Sequence, residues 1–231
     1  MTTKKILVFY PLLIIIIGLI AYSNSYHCSF HFDDRLSIQD NPIIKDLDNL
    51  NPLNNPSILK NTRYIGLLSF ALNYRLHGLD VVGFHLLNNL IHLGNALLIY
   101  LIVLLLFKTP PLLKSSFSPL SQSIALCVSL LFVTHPIQTQ AVTYIAQRYA
   151  SLATLFYLSS LFFYLKARLR REFRGRLHWG YYALSVLSSV LAMKTKEISF
   201  TLPFTIAVFD LVLFRNTPIR KRIQLILPLM L

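Results

Sequence analysis

Four polar groups interrupt an otherwise apolar chain, and each contains residue types that can do chemistry. They are Phe32-Asp33-Asp34; Asn88, Asn89, His92 and Asn95; His135-Pro136-Ile137-Gln138-Thr139-Gln140 with Gln147-Arg148 after it; and Lys194-Thr195-Lys196-Glu197. A carboxylate at Asp33 or Asp34 could take the proton from an acceptor hydroxyl. Cationic side chains such as Arg148 and Lys196 could hold a leaving phosphate and offset its developing charge. Each group also has a plainer reading. An Asp pair in a loop caps helices or is simply solvated. Asn and His at spacings of three to four share a helix face and serve as packing glue between membrane helices. His135-Pro136 ends a helix, and Lys196-Glu197 forms an interfacial ion pair.

The elements that must position these groups follow from composition. Of 231 residues 55% are hydrophobic and 13% charged, where soluble domains carry about 25% charged residues. So little polar surface makes lipid the expected solvent. The formal charge of +13 lies in short clusters between apolar runs, which excludes a nucleic-acid-binding surface. Two distant cysteines, Cys28 and Cys127, define no disulfide framework or metal site. An Asp pair alone specifies no metal and nothing calls for a cofactor, so none is expected.

The run Ile6–Tyr22 follows Lys4 and Lys5 and is long for a signal peptide, with no small-x-small cleavage site behind it. At about 1.5 Å per residue it covers roughly 26 Å, which suits a first transmembrane helix over 1–22. A polar outer loop spans 23–83, with an interfacial helix expected over Tyr64–Leu76. Five further transmembrane helices are expected within 84–214, on the runs Phe84–Phe107, Ser121–Val133, Tyr149–Leu165, His178–Met193 and Ser199–Phe214. A basic loop and the start of a helix that stops short at Leu231 make up 215–231. The expected fold is an all-α polytopic membrane bundle.

Lys and Arg orient it. With a cytoplasmic N-terminus and one crossing per run, 14 of the 22 basic residues fall on the cytoplasmic side, concentrated in Lys166–Arg176 and Arg215–Arg222. Those runs set topology and touch anionic headgroups of the membrane lipid. All four polar groups then fall on the opposite side, on separate segments. Such a face suits a reaction between a lipid-phosphate donor and a water-side acceptor. A transporter fits less well, because no charge lies at a helix midpoint; Asp210 is the nearest, towards the cytoplasmic end of its helix.

Three stretches resemble one family. They are Leu67-Leu68-Ser69-Phe70-Ala71-Leu72-Asn73-Tyr74 with Phe84-His85-Leu86-Leu87-Asn88; His135 to Ile145 with Gln147-Arg148; and Lys196-Glu197. Together they resemble the N-terminal half of the transmembrane and tetratricopeptide-repeat O-mannosyltransferases and their bacterial relatives, in the GT-C glycosyltransferase superfamily. The resemblance runs from about Phe30 to Pro203 and is most specific at the His-Pro segment. It implies a GT-C-like helical bundle that transfers a sugar, typically mannose, from a polyprenyl-phosphate donor to a Ser or Thr hydroxyl of a protein acceptor outside the cytoplasm. The bacterial inner membrane is the expected location, or the ER membrane in a eukaryote. The acidic motif of the first outer loop, Asp33-Asp34, is the implied catalytic element, with Asp34 preferred as base. Arg148 and Lys196 are the candidates for the donor phosphate, Glu197 for orienting Lys196, and His135 for donor or acceptor, with Asn88 and His92 alongside. Relatives carry further helices and a repeat domain; no 34-residue period occurs here, so the chain reads as the N-terminal part of such an enzyme or as a non-catalytic scaffold.

Overall fold

Helix boundaries fall where the sequence provides caps and stops. The Asp80 side chain accepts a hydrogen bond from the Val82 N–H and opens a helix that then runs through an apolar stretch to Leu106. At the other extreme, Gly175 adopts φ 68° and closes the helix that begins at Arg148, its N–H bonding the Arg171 carbonyl. The computed structural model describes residues 3–215 and 218–229, and within them there is no strand. The main helices are α1 (Thr3–Ala21), α2 (Tyr64–His77), α3 (Val81–Leu106), α4 (Ser121–Thr134), α5 (Arg148–Arg174), α6 (Trp179–Met193), α7 (Leu202–Leu213) and α8 (Ile219–Ile226). This is an all-α helical bundle. The side chains of Lys4 and Lys5, residues 216 and 217 and the end of the chain at Leu231 lie outside the described residues.

Among the described residues two helices are long and apolar enough to cross a membrane: α3, and α5 counted from Ile145. A third span results if Ser118–Thr134 and Pro136–Thr143, bent by 49° at the His135-Pro136 step, are one broken crossing. Proline after His135 forbids the next helical hydrogen bond there, so the bend has a covalent cause. Shorter apolar helices cover Val8–Ala21 and Trp179–Met193. The 12 residues of α7 rise about 18 Å.

Among the described residues three apolar cores hold the bundle. Ile14 of α1, Leu93, Ala96 and Tyr100 of α3, and Ala125 and Val133 of α4 form one. A second joins Leu161, Tyr164 and Leu165 of α5 to Tyr182, Leu202, Ile206 and Phe214. The third explains the long polar segment between α1 and α3. Four of its apolar residues, Ile38, Ile44, Leu50 and Ile58, are buried with Leu67, Phe70 and Ala71 of α2 and with Phe84, Ile145 and Tyr149, while Leu36 and Leu53 stay exposed. The segment therefore packs as a cap on one end of the bundle, with α2 expected from the sequence as interfacial and observed clamped between that cap and α3 and α5. Gly66 permits the clamp, since a Cβ there would fall on the Tyr149 ring.

The helices alternate in direction so that the two ends differ. One end, the motif end, gathers the Asp33-Asp34 loop, the N-termini of α3 and α5 and the C-terminus of α6. The other, the basic end, gathers Lys108, the last turns of α5 and the start of α6. The basic run expected as a loop over Lys166–Arg176 is mostly helix, because α5 continues to Arg174. Two expected surface charges, Arg168 of this run and Arg222 of the run Arg215–Arg222, are inside: they are 0% and 7% exposed and both meet the buried Asp210 carboxylate. A counter-charge contributed by α7 draws them in.

Candidate functional site

The acidic loop is held by one backbone strain and three long-range bonds. Phe32 has φ 46°, an unusual value for a bulky residue, with an energetic cost on the order of 1–3 kcal/mol. Its ring projects outward, 89% exposed, edge-on to Tyr144 at 6.3 Å. The turn sends the next two side chains in different directions. Asp34 goes inward and is 1% exposed; one oxygen accepts from the Ala146 N–H at 2.6 Å, the other from the His31 N–H at 3.0 Å. Asp33 stays exposed, while its own N–H donates to the Tyr144 hydroxyl at 2.9 Å. Burial pushes the Asp34 carboxyl above its ordinary range, against the lowering effect of its two backbone bonds and of the nearby His31 and His85 rings. His85 is itself fixed, its Nε2–H donating to the Cys28 carbonyl at 2.9 Å.

The same short stretch, Tyr144–Gln147, carries the second arm of the site. Gln147 offers its side-chain carbonyl to the Lys196 ammonium at 3.5 Å. Lys196 is half-buried in the loop after α6, which is tied down on both sides: Lys194 donates to the Leu59 carbonyl at 2.7 Å, and the Lys194 carbonyl accepts from the Ile65 N–H at 3.0 Å. Glu197 does not orient Lys196, as the sequence suggested. Its carboxylate accepts from the Thr62 hydroxyl at 2.8 Å and the Arg63 guanidinium at 3.4 Å. Its own backbone N–H, then Thr62 and Arg63, hold its pKa below the ordinary range.

Of the remaining expected residues, Arg148, Asn88 and His92 are buried and His135 is exposed. Arg148 is 0% exposed. It donates to the side-chain carbonyls of Asn88 at 2.7 Å and Asn73 at 2.8 Å, and to the Phe84 and Ser69 carbonyls at 3.0 and 3.4 Å. The Phe70 and Phe84 rings lie 4.5 and 5.3 Å from its guanidinium carbon. Asn88 passes the linkage on, its amide donating to the Val142 and Ile145 carbonyls. His92 donates to the Val133 carbonyl at 3.2 Å, where the bend in the next helix begins, and packs edge-on against Tyr22. Asn89 and Asn95 are likewise spent on Ser25 and the Ser151 carbonyl. His135 is exposed, its Nδ1 accepting from the Ile137 N–H and capping the turn after α4. The structure thus brings Asp33, Asp34 and Lys196 to one stretch, sets Glu197 beside it, and encloses Arg148, Asn88 and His92 beneath. Among the described residues no three His, Cys, Asp or Glu side chains cluster as a metal site.

No role for Tyr144 followed from the sequence, although it lies in the stretch quoted for the family resemblance, and Gln147 stood among the polar groups without an assigned role. Thr62 and Arg63 were missed for a different reason: a loop outside any periodic pattern marks no partner 134 residues away.

An all-helical bundle with membrane-length apolar helices and an acidic loop clamped to one end defines the class. The relatives define it further. The chain is 31% identical over 218 residues to the protein O-mannosyl-transferase Tmtc3 of Drosophila melanogaster, covering 84% of this chain and 23% of that protein. It is 29% identical over 227 residues to human TMTC4, covering 91% of this chain and 30% of that protein. It is 31% identical over 221 residues to human TMTC2, covering 89% and 24%. No protein-family model and no solved structure matches the chain. Over most of its length the chain is similar to the TMTC protein O-mannosyl-transferases, and it spans about a quarter of the length of the curated relatives it matches.

Proposed function

We propose that this chain forms the donor and acceptor face of a GT-C-type O-mannosyltransferase: it transfers mannose from a polyprenyl phosphate to a protein Ser or Thr hydroxyl on the side of the membrane away from the cytoplasm. The observation that carries the reading is the common anchor. An open carboxylate, Asp33, and a half-buried ammonium, Lys196, both hang from Tyr144–Gln147. Asp33 takes the proton from the acceptor hydroxyl as its oxygen forms the new bond to the sugar C1. The bond from C1 to the phosphate oxygen breaks, and the phosphate leaves with the electron pair while Lys196 offsets its charge. Asp34, with both oxygens bound to backbone N–H groups, positions the loop and is the weaker candidate for the base. The excess of Lys and Arg in the opposite end and its loops supports an N-terminus in the cytoplasm. The relatives' names support mannose and a protein acceptor.

The test is transfer of radiolabelled mannose from a polyprenyl-phosphate donor to a Ser/Thr peptide by the reconstituted chain. Asp33→Asn is expected to lower the rate about 10²-fold or more, and Lys196→Gln to lower it less. Undiminished transfer by Asp33→Asn sinks the assignment. A second reading, a non-catalytic scaffold, is favoured by the enclosure of Arg148, Asn88 and His92 in packing. It predicts no transfer by the wild-type chain and no donor binding.

A further inference from the structure

At the basic end, away from the proposed transfer site, α3 with the residues after it, α5 and α6 line an open cavity of about 380 Å³. Lys108, Lys166, Arg170 and Arg174 line it, and no carboxylate does. Among the described residues none of the four makes an ion pair, because the carboxylates that meet basic residues are Asp40, Glu197 and Asp210. Two of the cations, Lys166 and Arg170, lie against rings. The Lys166 ammonium sits 4.7 Å from the Tyr181 ring and 5.0 Å from that of Phe162, and the Arg170 guanidinium carbon 5.7 Å from Tyr181. Tyr181 is itself stacked on His178 at 4.2 Å, and its N–H bonds the His178 ring. Like charges arranged around one concavity repel one another over a Debye length of about 8 Å. An anion of more than one charge relieves that repulsion. Arginine forks match phosphate oxygens, and lysine adds point charge.

The rest of the lining is apolar, with Leu105, Leu169 and Phe173, the last 59% exposed. A free anion has no use for such a wall; the glycerol and first acyl carbons of a lipid do. Basic pockets between membrane helices take lipid headgroups for this reason. We infer that this cavity binds the headgroup of an anionic membrane lipid, and that it prefers a phosphomonoester to a zwitterionic headgroup.

The inference is independent of mannose transfer and is tested by binding alone. The full chain, purified in a neutral detergent, is titrated calorimetrically with dihexanoyl phosphatidic acid, dihexanoyl phosphatidylcholine and inorganic pyrophosphate. Phosphatidic acid is expected to bind at least about tenfold more tightly than either of the others. Lys166→Gln with Arg170→Gln is expected to weaken it by about tenfold or more. Lys114→Gln, exposed and outside the cavity, leaves it unchanged. Should the double variant lose its helical circular dichroism, Lys108→Gln with Arg174→Gln, both exposed, replaces it. Equal binding of phosphatidylcholine, or undiminished binding by the folded variant, overturns the inference. Pyrophosphate binding as tightly as the lipid overturns its assignment to a lipid.

Discussion

Arg148 and Arg168 lie on the same helix, some 30 Å apart at 1.5 Å per residue, and both are completely buried, yet they are accommodated in opposite ways. At the basic end Arg168 meets a carboxylate. Its guanidinium contacts Asp210, which also accepts from the Tyr164 hydroxyl at 3.0 Å and lies 3.9 Å from the Arg222 side chain. At the motif end Arg148 meets none; two asparagine amides, two backbone carbonyls and two aromatic faces take its place. Dipoles can solvate a cation without cancelling its charge. The Asp210 cluster is therefore a closed electrostatic unit that ties α5, α7 and the start of α8 together. The Arg148 cluster binds α2, α3 and α5 together and leaves a positive field beneath the loops that carry Asp33 and Lys196. Burial of an arginine has made a carboxylate-paired lock in one case and a foundation without a counter-charge in the other.

The comparison can be broken in several places. The largest effect is expected at the basic end, where removing one member of a buried ion pair strands the others. Asp210→Ala should lower stability by about 3–5 kcal/mol, read by chemical unfolding in detergent, and adding Arg168→Met should restore part of the loss. Failure of the second change to restore anything would mean that charge pairing is not what holds this end. Arg148→Met strands acceptors and no charge, so a smaller loss is expected, about 2–4 kcal/mol. Arg148→Lys keeps the charge but loses the planar fork and should recover only part of it. If both variants unfold as readily as Asp210→Ala, the distinction drawn between the two ends fails.

Asp34 comes next, with a cost of about 1–2 kcal/mol for Asp34→Asn, since the new NH2 faces a backbone N–H. Its pH dependence has a definite sign. The folded carboxyl binds its proton more tightly than the unfolded one, so between the unfolded pKa near 4 and the raised folded value the native state holds more protons. Stability drawn from Asp34 therefore declines as pH rises through that window, and unfolding of Asp34→Asn measured across it should lack this slope. Glu197 should show the smallest effect and the reverse sign. Its folded pKa is lowered, so its contribution is present above the unfolded value and is lost as pH falls through the folded one. Being about half exposed beside Arg63, it is screened, and Glu197→Gln should cost no more than about 0.5–1 kcal/mol at neutral pH.

The all-helical architecture was legible because apolar runs longer than any soluble strand need admit little else, and α4 and α6 fall within a residue or two of the expected runs. The family resemblance was legible in the His135–Arg148 stretch, where types and order are distinctive. The interior charges were not. A count of Lys and Arg treats Arg168 as a loop charge, because nothing local points to Asp210, 42 positions later. Nor can a dipeptide Asp33-Asp34 say which member turns inward; the positive φ of Phe32 decides it, and that follows from the fit of the loop against Tyr144 and Ala146. For the same reason the sequence left either carboxylate open as base, with a preference for Asp34; of the two, Asp33 is the exposed one.

The Tyr144–Gln147 stretch acts as a jig. Two loops that arrive from opposite ends of the chain are pinned to neighbouring teeth of one short rail, and the rail is seated on the enclosed Arg148. A push on either loop is passed to the rail before it alters the gap between carboxylate and ammonium. The spacing of the two loops at that rail is set by four residues.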